Sequence, residues 1–439
     1  MLSFSRPQRQ ALATLALVAG TVAPTAYVAW TAWKVNRPGQ ARDVETELSR
    51  QLGLQVTLAT VRYPRPGEVV YRGVVLRHGE PRSKTFAEVA RAEVVRLRRA
   101  GREVFLAAEG LRLRGEGARQ GMEQVNALLR HAGEATFSRI NLSAPDCTVE
   151  LGDGASASYT FRDLVATFQA DPGAPSVTAS YRFDEATRCE LTLTRDRTAN
   201  PVRTSLVFET KEGAPLPARL LDPFFDAADW LGPEAKVWGT LGLARAGAGD
   251  WEADFRGDLI GIDLATLVGR RYPDHRLTGL ARLRVRSARW AKLPGGRNSG
   301  WVGAEGELLT GPGTISMSLV RALKSRMNFR ALPRLDDHEA DLAFQRLGFG
   351  FTLKDSGELE LRGGLGTEAP PGAVIVDAEG LTPVLSAPQG AANVVGLVNT
   401  LTPGGDETLV VPGTRESQGL QQYLPLPSGP RAALRANGN

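Results

Sequence analysis

Cysteine and histidine are scarce: the 439-residue chain has two cysteines and four histidines. That excludes a disulfide-dense scaffold and a cysteine-rich zinc fold. Lysine is scarce too, with seven against a total of 53 basic residues, so the net charge of +5 is carried by arginine. No long basic block with interleaved aromatics occurs, and no nucleic-acid partner is expected. GxSxG, HExxH and CxxC are absent, and the composition implies no cofactor. Only one apolar run is long enough to cross a bilayer. What is present is an ordinary globular balance, 42% hydrophobic and 23% charged, with 48 glycines and 27 prolines that suit many turns.

The long run is Ala11 to Trp33, uncharged, between Arg6 and Arg9 on one side and Lys34 and Arg37 on the other. At 1.5 Å per residue it spans about 34 Å, enough for a hydrocarbon core. Trp30 and Trp33 stand where an interfacial aromatic belt lies. A cleaved leader needs small residues at and two before the cut. Ala32, Ala29 and Ala26 have Trp30, Tyr27 and Pro24 there, and Val18-Ala19-Gly20 leaves a short apolar core. An uncleaved single-pass anchor is therefore expected, with residues 1–10 in the cytoplasm and the bulk exported.

Residues 34–53 read as a linker and short helix, with Val44, Leu48 and Leu52 four apart and Gly53 as the stop. From residue 54 to 402 the period is two. Strands are expected at 86–98, 103–114, 135–142, 147–151, 157–169, 176–183, 188–195 and 202–210. Further strands are expected at 236–243, 250–260, 277–290, 300–309, 313–319, 327–330, 348–354, 357–364 and 373–379. Helical patterns are few: Ala118–His131 is the clearest, with shorter ones at 217–231, 264–271, 318–324 and 391–401. Residues 403–439 are Gly/Pro-rich and are expected to be a disordered tail.

Several segments alternate strictly. Val95 and Leu97 oppose Arg96 and Arg98; Leu111 and Leu113 oppose Arg112 and Arg114; Leu359 and Leu361 oppose Glu358, Glu360 and Arg362. Such a sheet is apolar on one face and wet on the other. Cys147 shares a strand face with Val149 and Leu151, and Cys189 with Leu191 and Leu193. A buried disulfide and two inert thiols are both open. The fold class is all-β with a few short helices: an N-terminal transmembrane helix, then an elongated, curled, antiparallel-rich sheet.

Other constellations carry less. Gly115-Glu116-Gly117 before the predicted helix misses the phosphate-loop spacing. Asp336, Asp337, His338, Glu339 and Asp341 match no EF-hand loop, and His275 lacks a second histidine at ligand spacing, so no metal site and no catalytic residue is assigned. Five of the seven tryptophans fall between Trp230 and Trp301, where aromatic platforms could stack sugars or line a core.

Two stretches resemble the AsmA-like family of bacterial envelope proteins. One is Leu48-Ser49-Arg50-Gln51-Leu52-Gly53-Leu54-Gln55-Val56-Thr57-Leu58, followed by Val61-Arg62-Tyr63-Pro64 and Gly73-Val74-Val75-Leu76. The other runs from Phe344 to Leu359 through Lys354-Asp355-Ser356-Gly357 and leads to Val374–Gly380. The resemblance covers the two ends and leaves the middle unaligned.

It implies a protein tethered in the bacterial inner membrane by residues 11–33, with its body in the periplasm. Its curled sheet would guide phospholipid acyl chains along an apolar groove, non-catalytically. The residues expected to line that groove are Val95, Leu97, Leu111, Leu113, Val149, Leu151, Leu191, Leu193, Leu359 and Leu361. About twenty strands at 4.8 Å would give a trough of at most about 100 Å. The alternative is a non-catalytic structural or assembly factor that binds envelope proteins or glycans.

Overall fold

The computed structural model describes residues 6–401 and 424, apart from 36, 38, 53, 66, 78–84, 98–102, 115–117, 135–136, 152–157, 184, 223–225, 270–271, 273, 293–298, 328, 336–338 and 387–390. The N-terminal apolar segment is one helical rod of α1 (Arg6–Leu17), a wide π turn (Val18–Val22) and α2 (Ala23–Val35). The π turn has a cause: Pro24 has no N–H and its ring crowds the preceding turn, and the Ala23 N–H reaches back five residues to the Val18 carbonyl. Arg6–Trp30 is long and apolar enough to cross a membrane, and none of it is buried. Next, α3 (Gln40–Leu52) turns Val44 and Leu48 onto Val56, Leu58 and Val74 of the sheet.

The rest is dominated by one mixed, non-closed sheet. In chain order it comprises β1 (Gln55–Thr57), β2 (Thr60–Arg62), β3 (Glu68–Arg77), β4 (Thr85–Leu97), β5 (Glu103–Arg114), β6 (Arg139–Glu150), β7 (Ser158–Gln169), β8 (Ser176–Arg182), β9 (Arg188–Asp196), β10 (Arg203–Glu212) and β11 (Leu216–Pro217). It continues with β12 (Lys236–Ala246), β13 (Trp251–Asp263), β14 (Leu280–Lys292), β15 (Ser299–Thr310), β16 (Gly313–Ile315), β17 (Phe329–Ala331), β18 (Leu342–Leu353), β19 (Glu358–Gly363), β20 (Ala373–Asp377), β21 (Val384–Ser386) and β22 (Ala391–Asn393). Among the described residues four more α-helices intervene: α4 (Ala118–Arg130), α5 (Ala227–Leu231), α6 (Met317–Arg326) and α7 (Val394–Leu401).

Each long strand pairs antiparallel with the next, except that β5 and β6 run parallel and α4 makes the crossover between them. Short β1 and β2 share one edge of β3, and β11 and β16 continue the lines of β10 and β15. At β18 the sheet forks, to β19 and β22 along one half and to β20, β21 and β17 along the other. The longest path, ending β18–β20–β21–β17, holds seventeen strand positions, a stack of about 75 Å, shorter than the trough expected from sequence.

Most expected strands are present. The differences have physical reasons. Pro145, which reads as a break, lies inside the continuous strand β6. The helices expected at 217–231 and 264–271 shrink to α5 and single short turns: Ala218, Ala227 and Ala235 pack together with Leu221 and Leu231, and Leu264 and Leu267 are held against the sheet. Residues 391–401 split into β22 and α7.

A crease runs across twelve strands. In β3 it passes through Gly73, which faces Ala90 of β4, which faces Gly110 of β5. It continues through Pro145 and Asp146 of β6, Asp163 of β7, Tyr181, Cys189 and Thr210 of β8 to β10, Gly239 and Gly257 of β12 and β13, Arg286 of β14 and Gly306 of β15. Gly110 takes φ +63°, and a methyl group there would stand 2.8 Å from the Ala90 Cβ. In β3 to β7 each strand slips its inward parity by one at the crease. In β6 the inward residues are Ile140, Leu142 and Ala144 before it and Cys147 and Val149 after it. The slip lets a bent strand keep its apolar residues on one face along its whole length.

Candidate functional site

The apolar face is covered unevenly. At the C-terminal end α6 and α7 lie on it, and Ile315, Leu319, Val320, Phe344, Leu347, Val374, Ile375, Val384, Val394 and Val398 form a filled core. His275 fastens that end: its Nε2 is 2.7 Å from the Thr400 carbonyl oxygen at the end of α7, and its Nδ1 is 3.1 Å from the Ser318 Oγ near the start of α6. Along β6 to β10, Leu129 of α4 is fully buried on Phe168, Leu193 and Leu206. Arg197 holds the C-terminus of α4 through the carbonyls of Leu129 and Arg130, at 2.8 and 2.9 Å.

The section of β4 to β8 beyond the crease is different. Val89, Leu111, Leu113, Cys147, Val149, Tyr159, Phe161, Tyr181 and Phe183 form one cluster supplied by the sheet and its turns, and among the described residues only Leu220 reaches it from another segment. Leu113, Val149, Tyr159 and Phe183 are half-buried. A row crosses this section at the crease. Leu111 stands beside Cys147, Cys147 opposite Phe161, Phe161 edge-on to Tyr181 at 5.0 Å, and Tyr181 opposite Cys189. Desolvation raises the Tyr181 phenol strongly and pushes the Cys147 thiol up to about 11.

Of the residues expected to line a groove, Leu111, Leu113, Val149, Leu191 and Leu193 share the apolar face, and Leu151 is buried. Leu359 and Leu361 are on it too, but inside the filled C-terminal core. Val95 is elsewhere: it pairs with the exposed Phe105, on the face opposite Ala92 and Leu106. The crease is the reason, since strict alternation counted through Ala90 assigns the wrong face. The side chain of Leu97 lies outside the described residues, as do Arg98, Gly115–Gly117, Asp336–His338 and the tail 403–439 apart from Leu424.

Cys147 and Cys189 are buried thiols rather than a disulfide. They sit on β6 and β9, three strand spacings or roughly 14 Å apart, beyond the reach of an S–S bond. Among the described residues no group of His, Cys, Asp and Glu could hold a metal.

The sequence reading missed the aromatics Tyr159, Phe161 and Tyr181 and the crease itself. Isolated glycines inside alternating strands, such as Gly73 and Gly110, were the available signal. No family model, curated protein or solved structure matches the chain.

Proposed function

We propose that this chain is a membrane-tethered protein of the bacterial envelope, with its body in the periplasm, that holds phospholipid acyl chains against the apolar face of its sheet. The AsmA-like resemblance of its two ends is part of the same reading. The observation that carries it is the section of β4 to β8 beyond the crease, where Leu113, Val149, Tyr159 and Phe183 stay half-buried and, among the described residues, only the short turn carrying Leu220 reaches their cluster. Each acyl CH₂ laid there would gain about 0.8 kcal/mol. The contact is non-directional, so it suits a chain that slides and calls for no catalytic residue.

The test is photo-crosslinking in native membranes from a diazirine amino acid at Val149, with one at Arg112 on the charged face as reference. Phospholipid adducts at Val149 and none at Arg112 are expected. Equal adducts at both positions, or none at Val149, would sink the reading. The filled core under α6 and α7 favours a second reading, a structural or assembly factor whose C-terminal end docks protein or glycan without carrying lipid.

A further inference from the structure

The charged face also has a furrow at the crease, and nothing in the lipid reading uses it. The cross-strand row Trp238, Asp258, Arg284, Glu307, Gly350, Arg362 crosses six strands on this face. Beside the row a cleft of about 460 Å³ is walled by Glu209, Lys211, Trp238, Arg256, Asp258 and Arg284, and Arg286 joins it to a second of about 270 Å³ that reaches Arg362. The floor at Gly239 and Gly257 is bare of necessity. The two glycines face each other at φ +143° and +153°, and a methyl group on either would collide with the other strand's backbone.

The wall is electrostatically uneven. Four cations, Lys211, Arg256, Arg284 and Arg286, face two carboxylates in the larger cleft. Asp258 is held by Arg282 at 2.8 Å and by Arg284 at 3.5 Å, and Lys211 is held by Glu190 at 2.6 Å. Arg256 is exposed, and among the described residues no carboxylate lies within ion-pairing distance of it. Trp238, 37% exposed, stands in the same wall.

An exposed indole beside an uncommitted guanidinium, over a floor with no side chains, suits a ring with one apolar C–H face and an acidic substituent. We propose that this furrow binds anionic carbohydrate, with Trp238 stacking on a sugar ring and Arg256 pairing with its acidic group. The run from Lys211 to Arg362 suits a short oligomer rather than a single sugar.

The experiment is calorimetry on the full chain in detergent micelles with a heparin-derived tetrasaccharide, beside maltotetraose, inorganic sulfate and a single-stranded oligonucleotide. Binding of the tetrasaccharide alone is expected. Arg256→Gln and Trp238→Ala should each weaken it about tenfold, and Trp238→Phe and Arg112→Gln should leave it within a factor of about two. Both mutated side chains are exposed, so unchanged melting temperatures separate lost binding from lost fold.

A second arm presents sialyl-lactose free and as the headgroup of a lipid in vesicles. Arg256-dependent binding to either form supports the site and names the source. No binding of any anionic sugar, equal binding of maltotetraose or sulfate, tighter binding of the oligonucleotide, or affinity unaltered by both Arg256→Gln and Trp238→Ala would overturn the assignment.

Discussion

At β18 to β21 the apolar face lies beneath α6 and α7, and Ile375, Val394 and Val398 are fully buried. Beyond the crease at β4 to β8, among the described residues, only Leu220 reaches the same face of the same sheet from another segment, and Val149 and Tyr159 stay half-buried. Strand composition makes part of the difference: β5 alternates apolar and polar residues at Leu111–Arg114, while β20 is apolar at four successive positions and buried throughout. Connection length makes the rest. The turn between β8 and β9, at the open end of the β4 to β8 section, is five residues, too short to carry a helix back over the sheet. Around α6 and α7 the chain returns across the face it has just built. A sheet extended mainly by hairpins stays open on its apolar side unless a longer connection is spent on covering it.

Truncation in the two sections should break or sustain that comparison most sharply. Ile375→Ala removes a fully buried side chain from a filled core, and about 3 kcal/mol of stability should go with it. Val149→Ala, in the half-covered section, should cost about 1 kcal/mol or less. Thermal unfolding of the full chain in detergent, followed by far-UV circular dichroism, measures both. Equal losses would mean that β4 to β8 is as closely packed as the C-terminal end, and the open face would be lost as an idea.

A slightly smaller effect should come from the crease, which crosses the first section and ends at β15, before the second. Gly257→Ala places a methyl against the Trp238 carbonyl at a backbone conformation that L side chains rarely adopt, and about 2–3 kcal/mol is expected. Gly269→Ala, with open space around it, should change little. If Gly257→Ala melts like the parent, the bend at β12 and β13 is soft, and the furrow on the charged face has no fixed floor.

Much of this was legible in the sequence. Ala118–His131 reads as a helix from Met122, Val125, Leu128 and Leu129, and Ala118–Arg130 is helical. The alternation of Leu111 and Leu113 identifies their face because both lie on one side of the crease. Val95 was misplaced because periodicity carries no record of a one-residue slip, and an alanine at the slip gives no warning. The cover on Leu359 and Leu361 was illegible for another reason: it depends on α6 and α7 meeting the sheet, a long-range event that no local pattern encodes.

On the charged face, Asp258 allows a gentler test. Its carboxyl is held below the usual range, first by the hydrogen bond from Arg282 and then by the charges of Arg282 and Arg284. A lowered folded-state pKa stabilises the fold above the ordinary carboxylate range, and the contribution fades as pH falls through the lowered value. Asp258→Asn should therefore cost about 1–2 kcal/mol at pH 7, modest because both arginines are half-exposed. The gap between parent and variant should narrow below about pH 4. A gap that stays constant down to pH 3 would mean the pair adds nothing that depends on charge.

The smallest expected effect is none at all, and it tests the row that marks the edge of the open section. Cys147 and Cys189 stand on β6 and β9 with Phe161 and Tyr181 between them, so reductant has no bond to cleave. Dithiothreitol should leave the melting temperature unchanged. With its pKa pushed up to about 11, Cys147 should resist alkylation at pH 8 until the chain unfolds. A drop of several degrees on reduction would imply a disulfide worth about 2–4 kcal/mol. That would require β6 and β9 to be close together, with β7 and β8 displaced. The crease would then not be continuous, and the contrast between a covered and an uncovered half of the sheet would have to be redrawn from β6 onward.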